Sequence, residues 1–308
     1  MQNHLKNQTS PYLLQHAENS VGWFQAMFGS YFYGWYLKCQ SDTQTLAIIP
    51  AVHQTGKKRT CSVQVITDEG AWTVDFPANM FRRRGKKISI GRNRFGNKGI
   101  RMVVHTPELN MRVWLDFGAL TPLKYDIMGT FSFVPFLECR HSVYSMRHLV
   151  NGMAHINGQK FSFQNALGYW EGDRGRSFPT EYAWTQCSFP EGSLMLSVAD
   201  IPIAGIHFTG IIGVVLWKGK EYRLATYLGA KAVRIKNRVL RIVQGSLQLE
   251  ARLLELSGHS LKAPTKGDMV RTIHESVACR AAYRFRKGKD IIFALETERA
   301  SFEYEYSL

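Results

Sequence analysis

Turn signals between short alternating segments limit this chain to a small set of folds. Asn157-Gly158 lies between the segments 153–156 and 161–163, and an Asn-Gly pair in this setting is a strong signal for a two-residue β-hairpin turn. Similar turns are predicted at 217–220, 236–238 and 287–289. Strands joined by frequent tight turns favour antiparallel sandwiches or barrels over an alternating β-α-β fold. The sequence therefore predicts an all-β protein.

Alternation with a period of two supports the same prediction. In the segments 246–254 and 301–306, apolar and polar side chains would face opposite sides of a sheet. The segments 142–148 and 266–276 are candidates for short helices. Helical structure is therefore expected to be minor.

The length of the chain suggests two domains. Its 308 residues exceed the size of about 250–300 residues beyond which single hydrophobic cores rarely grow. A region punctuated by proline and glycine ends before Val150, and a series of predicted hairpins follows it. The predicted organisation is an N-terminal arm at 1–28, a basic β domain at 29–149 and a second β domain at 150–308.

The N-terminal arm has a character of its own. Its segment 3–19, which begins Asn3-His4-Leu5-Lys6, resembles the opening of a family of thioredoxin-like proteins. The redox cysteine pair of that family has no counterpart here, so thioredoxin chemistry is not predicted.

The five cysteines are scattered without a Cys-x-x-Cys pair, which favours free thiols in a reducing compartment. With no signal peptide recognised, the sequence predicts a cytoplasmic protein.

The net charge of +15 predicts attraction to anionic partners that salt would weaken. An anionic membrane surface is one such partner, and it would hold the protein at the membrane periphery. Nucleic acid is less favoured, because bases stack on aromatic platforms and only Phe81 and Phe95 lie among the basic residues. A basic face that serves solubility alone is the third interpretation. The basic residues of the first domain include Lys57, Lys58, Arg59, Arg82, Arg83, Arg84, Lys86, Lys87, Arg92, Arg94, Lys98 and Arg101.

One block of sequence carries a family resemblance. It runs Tyr169-Trp170-Glu171-Gly172-Asp173-Arg174-Gly175-Arg176-Ser177-Phe178-Pro179, and Tyr182-Ala183-Trp184-Thr185-Gln186-Cys187 follows it. This block resembles the Glu-x-x-x-Gly-x-x-Phe-Pro loop and the Trp-x-Gln-Cys strand of the tocopherol cyclase family. Further matches follow in the family's order at 34–36, 249–252, 261–265 and 279–280. Tyr33 stands where plant cyclases have an acidic residue, and Arg174 stands where they have tryptophan.

The resemblance implies both a fold and a function. It implies two lipocalin-like antiparallel β-barrel or sandwich domains, as in proteins related to carotenoid hydratases. It also implies a prenylated or isoprenoid hydrophobic ligand, with cyclisation of the isomerase type or hydration by acid catalysis. Such a reaction needs no cofactor. The alternative is a non-catalytic lipocalin-like carrier of a hydrophobic metabolite.

Acid-catalysed cyclisation makes specific demands on side chains. An acid must protonate an alkene, and a dry pocket must shield the carbocation from water. Burial keeps a carboxyl protonated near neutral pH by raising its pKa, and aromatic faces stabilise the cation. The candidate catalytic residues are Asp173, Glu171, Glu138 and His141. The candidate ligand-binding residues are Trp35, Tyr36, Trp170, Tyr182, Trp184 and Gln186.

Structural roles are the competing interpretation of these residues. Glu171 and Asp173 could form surface ion pairs with Arg174 and Arg176, and the tryptophans could pack in a core. Histidines 141, 148 and 155 lack the spacing of metal ligands, so no metal site is predicted.

Overall fold

A computed structural model describes residues 29–134, 137–203, 205–255 and 258–307. Strands make up 72% of the structure and helices 4%, which confirms the predicted all-β class. The helical residues form single turns of 3-10 helix at Ala78–Met80, Gly129–Phe133 and Thr226–Leu228. The predicted arm at 1–28 lies outside the described residues. Among the described helices, none has the length and apolar content needed to cross a membrane.

The first half of the chain forms one antiparallel sheet. Its strand order is β4-β3-β2-β1-β11-β10-β9-β8-β7-β6-β5. The strands are β1 (Ser30–Gln40), β2 (Thr45–Thr55), β3 (Lys58–Thr67), β4 (Ala71–Phe76), β5 (Phe81–Arg83), β6 (Lys87–Ile90), β7 (Asn93–Gly96), β8 (Gly99–His105), β9 (Asn110–Phe117), β10 (Cys139–Ile156) and β11 (Gln159–Gly175).

The second half forms a similar antiparallel sheet. Its order is β15-β14-β13-β12-β21-β20-β18-β17-β16, and β19 pairs with β20 beside this path. The strands are β12 (Tyr182–Phe189), β13 (Gly192–Ile203), β14 (Ile206–Trp217), β15 (Lys220–Ala225), β16 (Lys231–Lys236), β17 (Val239–Gln244), β18 (Leu247–Leu253), β19 (His259–Thr265), β20 (Asp268–Lys287) and β21 (Asp290–Tyr304).

Both sheets share one plan, in which the first strand pairs with the last. In the first sheet β1 pairs with β11, and in the second β12 pairs with β21. The chain therefore passes from one sheet to the other between Gly175 and Tyr182. Val150, where the sequence predicts a domain boundary, lies instead within β10, because the hairpin of β10 and β11 is held in the first sheet by β1.

The predicted hairpin turns are present. Asn157 and Gly158 join β10 to β11 with φ values of 48° and 87°, so both adopt the left-handed conformation of a two-residue hairpin turn. Lys218 and Gly219 join β14 to β15 in the same way, with φ values of 48° and 77°. These local signals correctly located the strand ends.

Both segments considered as short helices are extended. Residues 142–148 lie in β10, and most of 266–276 lies in β20. Register shifts interrupt the pairing of β10 between Val143 and Ser145 and between Ser145 and His148. Such bulges break the period-two pattern, which explains why the sequence did not indicate a strand there.

Three buried clusters hold the fold together. Each sheet curls around a core of its own, and a third core lies between the sheets. A buried lysine also links the sheets, since Lys38 Nζ on β1 donates hydrogen bonds to Ser301 Oγ at 2.8 Å and to the Arg299 carbonyl at 2.9 Å on β21. The space between the sheets contains the candidate site.

Candidate functional site

Strand pairing brings two of the predicted carboxyls next to a histidine. Glu171 and Asp173 are two residues apart on β11, so their side chains project from the same face of the first sheet. His141 on β10 is directly opposite Asp173. On the other side of β11, β1 places Tyr36 opposite Glu171 and Gly34 opposite Asp173. Residues far apart in the sequence therefore meet on one surface.

The His141 imidazole lies between the two carboxyls. Its Nδ1 is 2.9 Å from Asp173 Oδ1, and its Nε2 is 3.0 Å from Glu171 Oε2. The Asp173 contact has hydrogen-bond geometry, whereas the Glu171 contact is an ion pair without it. Burial opposes a charge on His141, but the two carboxylates outweigh burial and hold its pKa well above the usual value. The His141 imidazole is therefore held in its protonated form between the two carboxyls.

Two neutral groups complete this cluster. Tyr169 donates a hydrogen bond to Glu171 Oε2, and the Cys139 Sγ lies 3.5 Å from Asp173 Oδ1. Burial, reinforced by Glu171, raises the pKa of Tyr169 well above its usual value, and burial with Asp173 does the same for Cys139. Both groups therefore act as hydrogen-bond donors that hold the carboxylates in place.

The cluster forms one wall of a cavity of about 180 Å³ between the two sheets. Aromatic rings from both sheets line it, and those of Tyr36 and Trp184 meet edge to face with centroids 5.4 Å apart. Trp184 Nε1 is buried without a hydrogen-bond partner among the described residues. A ligand oxygen could accept a hydrogen bond from this indole.

A second pair of carboxyls, Glu275 and Glu303, lines the same cavity from the second sheet. The two residues are direct partners across β20 and β21, and both are buried. Tyr182 donates a hydrogen bond to Glu303 Oε2. Burial raises the pKa of Glu275 to about 8, and burial together with Glu275 raises the pKa of Glu303 well above its usual value. The two walls of the cavity therefore differ in charge at neutral pH.

The first carboxyl cluster also has the composition of a metal site. One ligand atom from each of His141, Glu171 and Asp173 lies within 4.8 Å of the others. A bound ion would have to displace the proton that both carboxylates stabilise on His141. The arrangement therefore fits a proton more directly than a metal ion.

Comparison with known proteins identifies the relatives of this site. A family model described as tocopherol cyclase-like matches residues 108–304. The chain belongs to the tocopherol cyclase-like family. The match includes β10 and β11, which carry His141, Glu171 and Asp173. It also includes β20 and β21, which carry Glu275 and Glu303. The resemblance inferred from the 169–187 motif is therefore confirmed.

Curated relatives of this tocopherol cyclase-like chain come from plants. A probable chloroplastic tocopherol cyclase of Oryza sativa subsp. japonica is 28% identical over 131 residues, which cover 40% of this chain and 27% of the relative. A chloroplastic tocopherol cyclase of Zea mays is 26% identical over 175 residues, which cover 51% of this chain and 36% of the relative. The matched region spans about a third of the length of these relatives.

Solved structures share the fold of this family member. The crystal structure of CghA has a TM-score of 0.58 and 8% identity, and the match covers 91% of this chain and 89% of CghA. Kievitone hydratase from Nectria haematococca has a TM-score of 0.54 and 10% identity, with coverage of 91% and 90%. At these identities the similarity concerns the fold alone. It confirms the predicted architecture of two lipocalin-like β domains.

Seven of the ten predicted site residues line the cavity of this tocopherol cyclase-like protein, namely Trp35, Tyr36, His141, Glu171, Asp173, Tyr182 and Trp184. The predicted Glu-x-x-x-Gly loop is in fact the end of strand β11, so its carboxyls are interior groups. Arg174, which was considered as an ion-pair partner of these carboxyls, donates a hydrogen bond to Ser142 Oγ. The catalytic and binding roles of the seven residues stay predictions.

The other three predicted residues lie away from the cavity. Trp170 faces the core of the first sheet, where its ring stacks on Tyr144 with centroids 4.7 Å apart. Gln186 is buried and donates a hydrogen bond to Ser188 Oγ. Glu138 precedes β10 and does not contact the cavity. Alternate residues of a strand face opposite sides of the sheet, which separates Trp170 from its neighbour Glu171.

Sequence reasoning missed Glu275 and Glu303. Glu275 lies between Ile273 and Val277, two residues to either side, and both pack in the core between the sheets. A carboxyl at an apolar-face position of a strand is the signal that could have revealed it. Glu303 alternates with the apolar Phe302 and Tyr304, as a solvent-facing residue would, but it is buried and lines the cavity.

Proposed function

We propose that this chain binds a prenylated or isoprenoid hydrophobic molecule between its two sheets and cyclises or hydrates it by acid catalysis. The observation that carries the proposal is a largely apolar cavity faced by buried carboxyls from both sheets. Membership of the tocopherol cyclase-like family supports an isoprenoid-type substrate. An intramolecular cyclisation would make the protein an isomerase.

The cavity combines the two conditions that alkene protonation requires. Its aromatic and aliphatic walls would exclude water, which would otherwise capture the carbocation prematurely. The rings of Tyr36 and Trp184 could stabilise a developing positive charge through their π faces. Carboxyl groups supply both a proton and counter-charge within the same space.

The His141 cluster fits the role of proton acceptor and counter-charge. Glu171 and Asp173 flank a protonated imidazole, so the three groups together carry excess negative charge. Such a wall would stabilise a carbocation and accept the proton released when an oxygen captures it. The oxygen could be a phenol of the substrate in cyclisation or a water molecule in hydration.

A non-catalytic carrier is the second candidate function. The same apolar cavity would enclose a hydrophobic metabolite, and the unpartnered Trp184 Nε1 would bind a ligand oxygen. In a carrier the carboxyls would serve only to shape and polarise the wall.

Turnover and binding measured on the same variants separate the two functions. The purified chain would be incubated in D₂O with a prenylated hydroquinone, and mass spectrometry would detect a cyclised or hydrated product with deuterium on carbon. The variants Glu171→Gln and Asp173→Asn should bind the compound but lose turnover. Asp116→Asn, which removes a carboxylate on the outer surface of β9, is the control. A wild-type protein that binds the compound and forms no product would establish the carrier.

A further inference from the structure

We infer that Glu275, which shares a buried site with its cross-strand partner Glu303, is the carboxylic acid that protonates the substrate alkene. This inference rests on the proposed function, and it gives the two walls of the cavity different tasks. The second sheet supplies the proton, and the His141 cluster of the first sheet receives one.

The geometry of Glu275 suits a proton donor. Only 2% of the residue is exposed, yet it lines the cavity. Its Oε1 is buried and has no hydrogen-bond partner among the described residues. A buried carboxyl oxygen without a partner is costly, and the cost is smaller when the carboxyl is protonated and neutral.

Glu275 shares its buried site with a second carboxyl, that of Glu303. The two residues are directly opposite on adjacent antiparallel strands, where Cβ atoms lie about 4.5–5.5 Å apart. Two carboxylates in one buried site would repel each other, and burial together with Glu275 holds the pKa of Glu303 well above its usual value. Tyr182 donates its hydrogen bond to Glu303, which leaves Glu275 facing the cavity without that donor.

The groups around the pair do not cancel the effect of burial on the pKa of Glu275. The titratable groups that face the pair are Tyr36, Lys38, Glu171, Asp173 and Tyr182. Burial raises the pKa of Glu275 and outweighs the opposing effects of the Tyr36 hydroxyl and Lys38, while Glu171 adds to the increase. The hydrogen bonds of Lys38 go to Ser301 and the Arg299 carbonyl.

Comparison with Asp173 and Glu171 indicates which wall of the cavity supplies the proton. Those carboxyls contact the His141 imidazole, and their negative charge holds the pKa of that imidazole well above its usual value. A carboxylate has no proton to give to an alkene. Glu275, with a pKa of about 8, carries its proton at neutral pH.

The reaction balances with no further reagent. The O–H bond of Glu275 breaks as the π electrons of the alkene form a new C–H bond, which leaves a carboxylate and a tertiary carbocation. The phenol oxygen of the substrate then bonds to the cation, and its proton passes to Asp173 or Glu171. Transfer of one proton from that cluster through solvent back to Glu275 restores the enzyme. In hydration a water oxygen takes the place of the phenol.

The test compares Glu275→Gln with the wild type, using a prenylated hydroquinone that has one trisubstituted side-chain alkene. Turnover by Glu275→Gln should fall by at least about 100-fold, the usual lower range for loss of a general acid. The dissociation constant for the compound should change little, since the amide is nearly isosteric. Wild-type turnover should decrease as the pH rises through about 8, where Glu275 loses its proton. Asp116→Asn is the matched surface control.

Failure of this inference differs from failure of the proposed function. Wild-type protein that binds the compound without converting it would end both. Wild-type conversion that persists in Glu275→Gln within a few-fold would overturn the inference alone. If Glu275→Gln does not fold, infrared spectroscopy of the wild type decides. The protonated-carboxyl C=O band should lose the contribution of Glu275 as the pH rises through about 8 while that of Glu303 remains, and a band that does not change between pH 7 and 9 would refute the assignment.

Discussion

Lys38 offers a test of the buried contact between the two sheets. Its side chain is 1% exposed, and its ammonium group donates to Ser301 Oγ and to the Arg299 carbonyl. Burial lowers the pKa of Lys38 from 10.5 to about 8, although nearby Cys187, Cys279 and acidic groups oppose the change. Replacement by methionine keeps the length of the stem and removes the charge.

Proton linkage gives the size and the sign of the contribution of Lys38 to the free energy of unfolding. A decrease of this size corresponds to about 3 kcal/mol, at about 1.4 kcal/mol per pKa unit. Below pH 8 the amine is charged in both states, so the full penalty for burying the charge is present. Between pH 8 and 10.5 the folded protein releases the proton and the unfolded chain keeps it, so stability increases with pH. The contribution of Lys38 therefore becomes more favourable as the pH rises through this window.

Urea denaturation of the wild type and Lys38→Met at a series of pH values measures this contribution. The unfolding free energy of the wild type minus that of the variant should rise by about 3 kcal/mol between pH 7.5 and 10.5. Taking the difference cancels the titration of tyrosines and cysteines common to both proteins. Lys289→Met at an exposed hairpin turn is the control and should give a flat difference. A flat difference for Lys38→Met as well would refute the reasoning.

Two other predictions test the packing and the surface. In Gly172→Ala the added Cβ would come within 2.6 Å of Trp35 Cδ1 and 2.8 Å of a backbone oxygen. The variant should therefore lose about 1–3 kcal/mol of stability in denaturant titrations. Unchanged stability would show that the β1–β11 contact can relax. We also expect the outer face of β8 and β9 to bind anionic vesicles, because Trp114 is 62% exposed and the Arg101 guanidinium lies 4.3 Å from its ring centroid. Flotation with anionic vesicles should decrease with salt and in Trp114→Ala, and equal binding to zwitterionic vesicles would count against an electrostatic contact.

Local sequence was sufficient for the fold class. Asn157-Gly158 and Lys218-Gly219 specify left-handed turn conformations that depend on a few adjacent residues, so the hairpins could be predicted without the rest of the chain. The spacing of Glu171 and Asp173 likewise implies one strand face, because the strand period is two. The motif around them also pointed to the correct family.

Tertiary structure decided which residues share the cavity. His141 reaches Asp173 through the register of β10 with β11, and Glu275 and Glu303 approach from strands more than a hundred residues later in the chain. Trp170 is adjacent to Glu171 in the sequence but lies in a different core. Local patterns determine how each strand alternates, whereas the packing of one sheet against the other determines which faces are removed from water. The charge of a carboxyl depends on that burial and on its neighbours, so the difference in protonation between the two walls exists only in the folded protein.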